Sequence, residues 1–147
     1  MPMEMMNHAI KMAKKAYDLG EIPIGAVITH NGEIIAAEHN RVEQNKDCTC
    51  HAEINAIKKA CTKLGTKLLT GCEMYVTIEP CAMCAGAIIN SRIKRLYIGA
   101  PEPKTGCCGS VTNLTQEKLF NHNIEVYTGF SEDECINLMK DFFEEKR

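Results

Sequence analysis

Apolar side chains first recur at helical spacing, at Ala9, Ile10, Ala13, Ala16 and Tyr17, with Gly20 where a helix ends. This predicts an amphipathic helix over roughly residues 8–19. The pattern then changes to AVITHNGEIIAAE, two apolar runs around Asn31-Gly32, which reads as a β-hairpin. Residues 39–49 are polar without a periodic face and read as a loop. Helical spacing returns at Ala52, Ala56, Ile57, Ala60, Cys61 and Leu64 and ends at Gly65. A strand over 72–77 leads into PCAMCAGAIINS, where Pro80 suits the first turn of another helix, and 94–99 reads as the next strand. This strand, helix, strand order predicts a right-handed parallel crossover added to the hairpin in one mixed sheet, with helices over both faces.

After the glycine-rich loop PEPKTGCCGS come a weaker helical stretch over 114–120, a short strand over 124–127 and a terminal helix. Ser131 with Glu134 reads as a capping box for that helix, and Cys135, Leu138, Met139, Phe142 and Phe143 as its apolar face. No repeat, linker or low-complexity tract divides the chain. With 147 residues and 45% hydrophobic content it holds one core, so residues 1–147 are expected to form a single α/β domain.

Composition narrows the function. The opening MPMEMMNHAIKMAKKAYDLG breaks its apolar residues with Glu4, His8, Lys11, Lys14 and Lys15, unlike a signal peptide or membrane span, which points to a soluble, cytoplasmic protein without membrane partners. Nine cysteines is an odd number, better read as reduced thiols, some on metal, than as a disulfide framework. A net charge of -2 argues against a globally basic nucleic-acid binder and leaves room for a local basic groove.

Cys81-Ala82-Met83-Cys84 places two thiols one turn apart at a helix start, where both reach one tetrahedral ion and the helix dipole favours thiolate. Alone, that spacing also fits a redox pair, half of a structural zinc site or two packed thiols. His51 and Glu53 occupy the first turn of the preceding helix, so two helix starts converge. His51, Cys81 and Cys84 then make three ligands of a zinc ion and leave the fourth position for water, which Glu53 faces as proton carrier. A lone histidine or a lone first-turn glutamate is usually structural. The joint pattern H-A-E followed by P-C-x-x-C is the signature of zinc deaminases.

On these motifs the chain resembles the cytidine and adenosine deaminase superfamily and, within it, the bacterial tRNA-specific adenosine deaminases. The likeness extends to IPIGAVI, Ala85-Gly86-Ala87-Ile88, Ser91-Arg92-Ile93, Gly99-Ala100, Lys104-Thr105-Gly106 with Gly109-Ser110, and Asn121-His122. It implies a three-layer α/β/α cytidine-deaminase-like fold with a mixed five-stranded sheet, one Zn2+ per subunit, and a homodimer. It also implies hydrolysis of the wobble adenosine to inosine in a tRNA anticodon stem-loop, of an arginine tRNA. Asn40 and the backbone N–H of Ala52 match contacts to the target base, and Lys104 lies in the matching K-T-G. Glu102 stands where an aspartate is usual. Arg92, Lys94, Arg95, Lys104, Lys146 and Arg147 are candidates for holding the RNA backbone.

Cys48-Thr49-Cys50 replaces the usual Pro-Thr-Ala before the H-A-E motif. Either thiol is a candidate competitor for metal or a redox modulator. Because three ligands and water complete the tetrahedron, Cys50 reads as a small buried residue and Cys48 as a turn substitute. Cys61, Cys72 and Cys135 read as small core residues, and Cys107 and Cys108 as loop residues without catalytic roles. Three other functions compete: a deaminase of a free base or nucleotide such as guanine, cytidine or deoxycytidylate; a zinc-stabilised RNA-binding module; and a thiol redox protein.

Overall fold

The computed structural model describes residues 2–116 and 122–146. Helix α1 spans Pro2–Asp18, strand β1 Gly25–His30, β2 Glu33–His39, a short α2 Val42–Asn45, α3 Ala52–Leu64, β3 Cys72–Ile78, α4 Ala82–Asn90, β4 Arg95–Ala100, β5 Glu125–Tyr127 and α5 Glu132–Glu145. The five strands form one mixed sheet in the order β2-β1-β3-β4-β5. β1 is antiparallel to both β2 and β3, and β3, β4 and β5 run parallel.

Alternation along the strands fills two cores. Ala26, Ile28, Met74, Val76, Leu96 and Ile98 face α3 and α4, whereas Val27, Tyr75 and Tyr97 face α1 and α5. This is the expected three-layer arrangement. α1 begins earlier than predicted because Met5 and Met6 extend the buried stripe of Ala9, Ile10 and Ala13 by a turn. Gly25 allows α1 to lie on β1: a Cβ there would run into the Ala9 carbonyl oxygen and stand 2.6 Å from the Ala13 nitrogen.

Four other details depart from the expected pattern. The segment after β2 contains α2 rather than only loop, because Glu21, 1% exposed, accepts hydrogen bonds from the Glu43 and Gln44 amides at 3.0 and 2.6 Å. α4 starts at Ala82 with Cys81 as its N-cap, so Pro80 precedes the helix instead of opening it. Ser131 caps nothing with its side chain, since its φ of 57° is left-handed. Glu132, Asp133 and Glu134 complement that helix end by charge instead. Phe142 is buried but Phe143 is 46% exposed, because adjacent positions on a helix point about 100° apart. Of the helical stretch expected over 114–120, Leu114–Gln116 forms a 3-10 turn and the rest lies outside the described residues, as does Asn121.

Candidate active site

The topology explains why His51 and Cys81 meet. β2 and β3 are both antiparallel to β1 and so run the same way, and their C-terminal ends lie at one edge of the sheet. The chain leaving β2 reaches His51 through α2, and the chain leaving β3 reaches Cys81 directly. Each is the N-cap of its helix, in extended conformation, with no side-chain capping bond. The imidazole and the thiol are therefore free for other work.

His51 Nδ1 stands 3.7 Å from Cys81 Sγ and 3.5 Å from Cys84 Sγ, and the three donor atoms lie within 4.8 Å of one another. Zinc–sulfur and zinc–nitrogen bonds of about 2.3 and 2.0 Å at a tetrahedral angle separate N from S by about 3.5 Å, so the donor set fits the ion. Hydrogen bonds from Cys84 and His51 pull Cys81 down to about 3, and the bond with Cys81 together with burial pushes Cys84 up. The bond with Cys81 also raises His51.

Glu53 sits on the first turn of α3, 3% exposed, and its Oε1 has no hydrogen-bond partner among the described residues. Burial pushes its carboxyl up to about 7. A buried acceptor without a partner is costly in a fold that needs only stability. A carboxyl titrating near neutrality beside a three-donor cluster is suited to carrying a proton.

Asn40, 5% exposed, Ala52 and His51 line a cavity of about 650 Å³, closed on the other side by Phe142 and Phe143 of α5 and by Lys146, the residue that caps its C-terminal end. The His39 ring Nδ1 and the Asn40 carbonyl oxygen are hydrogen-bonded at 2.8 Å, which holds this corner of the wall. Cys48 is exposed at the same cavity, whereas Cys50 is buried. Lys104 is exposed on a neighbouring cavity of about 750 Å³ with Glu102, and Phe143 borders both. Lys94 and Arg95 lie at the start of β4, at the sheet edge away from Cys81, and Arg95 is held between Glu73 and Glu125 at 2.9 and 3.2 Å.

A residue that the sequence reading passed over organises the loop after β4. Glu79, 6% exposed, accepts from the backbone amides of Glu102 (3.1 Å), Cys108 (2.9 Å) and Ser110 (3.0 Å) and from the Ser110 hydroxyl. The Cys107 amide donates to the Pro80 carbonyl at 2.9 Å, tying this loop to the turn that carries Cys81. Gly106 is needed there, since a Cβ would meet the Glu79 carboxylate and stand 2.6 Å from the Glu102 carbonyl oxygen. Cys107 and Cys108 lie in this loop, as expected, and are consequently buried. Phe142 and Phe143 were also missed as pocket residues, whereas Lys146, read as a candidate for holding the RNA backbone, does line that pocket. The adjacent phenylalanine pair was the available signal, because both cannot serve one core.

The sheet, the two converging helix starts and the His-Cys-Cys cluster define a protein of the cytidine-deaminase-like class. The MafB19-like deaminase family model matches residues 2–147. A tRNA-specific adenosine deaminase of Bacillus subtilis is 51% identical over 97% of this chain and 88% of its own length. A solved structure from a study of A-to-I editing by tRNA:A34 deaminases at the wobble position of transfer RNA matches with TM-score 0.90 and 41% identity, over 92% of this chain and 98% of that one. A guanine deaminase from Nitrosomonas europaea matches with TM-score 0.82 and 26% identity, over 97% of this chain and 84% of that one. The chain belongs to this deaminase family, in its tRNA-specific adenosine deaminase branch.

Proposed function

We propose that the chain hydrolyses the wobble adenosine of a tRNA anticodon to inosine, with His51, Cys81 and Cys84 holding one zinc ion per subunit and Glu53 moving the protons. The observation that carries the chemistry is the partnerless, buried Glu53 carboxylate oxygen beside three donors spaced for a tetrahedral ion. Zinc in such a site supplies Lewis-acid polarisation of a water molecule, bringing its ionisation near neutrality. Glu53 takes the proton released as the nucleophile forms and delivers it to N1 of the purine as C6 becomes tetrahedral. It then takes the proton of the new C6 hydroxyl and passes it to the departing 6-amino group, so the C6 carbonyl forms, ammonia leaves and the carboxylate is restored. Asn40 and the Ala52 N–H hold the base, and Lys104 contacts the RNA outside the pocket.

An anticodon loop suits the pocket because its bases are unpaired and can be splayed out one at a time. The relatives named as tRNA-specific adenosine deaminases support this substrate over a free base. The remaining assignments, an arginine tRNA, a homodimer in the cytoplasm and a single domain over 1–147, belong to the same reading. No described helix is long and apolar enough to cross a membrane. A second reading, deamination of a free purine base, rests on the likeness to guanine deaminase.

The experiment is ammonia release with inosine readout from an anticodon stem-loop carrying a wobble adenosine, beside free adenosine, guanine, cytidine and deoxycytidylate. Turnover confined to the RNA is expected. Turnover confined to a small molecule would replace the substrate and keep the roles of His51, Glu53, Cys81 and Cys84.

A further inference from the structure

Lys94 and Arg95 lie away from the site, but other basic side chains lie against its wall. A groove of about 650 Å³ runs between β2 and α3, and its charged side chains are Glu38, Arg41, Lys58, Lys59 and Lys63. Four cations face one carboxylate there, in a chain whose net charge is -2. Glu38 fixes two of them, Arg41 Nε at 2.9 Å and Lys59 Nζ at 3.2 Å. Lys58 and Lys63 are exposed and make no salt bridge among the described residues.

The groove and the pocket share a wall. Asn40 and Val42 line the pocket, and Arg41 between them lines the groove. Asn55, also in the groove, donates to the His39 carbonyl at 3.0 Å and the Cys50 carbonyl at 3.1 Å, the residues just before Asn40 and His51. A nucleotide splayed into the pocket leaves its flanking phosphates at the rim.

We propose that this groove is a docking surface for the phosphate backbone of the substrate RNA, with Lys58 and Lys63 as phosphate contacts and Arg41 and Lys59 held ready by Glu38. It rests on the RNA reading above and extends it to a face of α3 outside the pocket. Each single-strand phosphate contact adds about 0.7 to the slope of log affinity against log salt. Two contacts give about 1.4, which over the decade from 1 M to 0.1 M salt is about 25-fold in affinity.

The test is fluorescence anisotropy of a labelled anticodon stem-loop across a salt series, with wild type, Lys58→Ala/Lys63→Ala, the charge-keeping Lys58→Arg/Lys63→Arg, and Lys94→Ala. The alanine pair is expected to lose about 25-fold in affinity at 0.1 M salt and to flatten the slope by about 1.4, while the arginine pair and Lys94→Ala follow wild type. Unchanged affinity and slope in a folded alanine pair would overturn the proposal and leave the groove to solvent or an acidic partner. Inosine formation by wild type on the same RNA separates two failures. Turnover without a slope change removes the groove alone, whereas a slope change without turnover keeps the groove and removes the assigned reaction.

Discussion

Substituting Glu79 by Gln keeps the side chain's size but removes an acceptor that the whole 102–110 loop uses. Oε1 serves the Glu102 amide and the Ser110 hydroxyl, and Oε2 serves the Cys108 and Ser110 amides. Whichever oxygen becomes an NH2 group faces a backbone N–H, leaving at least one buried donor unpaired at roughly 1–3 kcal/mol, while the remaining bonds each weaken by about 1 kcal/mol without the charge. The total is about 3–5 kcal/mol. In a chain of 147 residues that lowers Tm by about 10–15 °C.

The pH dependence carries a second signature. Burial alone would raise the Glu79 carboxyl, but the bonds from Ser110, Glu102 and Cys108 outweigh it and hold the group below its ordinary value. A carboxyl depressed in the folded state stabilises above its unfolded pKa of about 4.3, and that contribution disappears as pH falls through the folded value. The wild-type minus Glu79→Gln difference in Tm, measured by scanning calorimetry, should therefore be constant above about pH 5 and shrink below about pH 4. A neutral-pH shift under about 2 °C, or a difference that stays flat to about pH 3, would refute this account of the loop.

Other substitutions read separate parts of the structure. His51→Ala, Cys81→Ala and Cys84→Ala should each lower the zinc-to-protein ratio measured by atomic absorption, and full retention in any one would remove that residue from the ligand set. Cys48→Pro/Cys50→Ala should leave that ratio unchanged, and a loss would make one of these thiols a ligand. Gly25→Ala should cost at least about 2 kcal/mol in denaturant unfolding, because the new methyl meets the α1 backbone at Ala9 and Ala13. A neutral effect would mean that α1 shifts freely on the sheet.

Much of the site was legible because its signals are local. His51 and Glu53 share one helix start and Cys81 and Cys84 another, and spacing of two and three residues already places each pair. Gly65 ends α3 with a φ of 68°, as a glycine at that position predicts. What stayed hidden acts across distance. Glu21 bonds amides 22 and 23 residues away, and Glu79 bonds groups from 23 to 31 residues away, so each looks like an ordinary acidic residue in its own neighbourhood. Ser131 failed as a cap because its backbone is left-handed instead of the extended conformation from which an N-cap hydroxyl reaches the first-turn amides, which no local pattern reveals. Phe143 was assigned to the core by hydrophobicity, and only the position of α5 beside the pocket shows another use.

The most direct test of the central claim is the rate of inosine formation by Glu53→Ala on the anticodon stem-loop, with zinc content measured in the same sample. The account predicts a full complement of zinc with the rate reduced by at least about 100-fold, since the variant keeps all three donors and loses only the proton carrier. Wild-type turnover by zinc-loaded Glu53→Ala would contradict it, because another group would then be moving the proton.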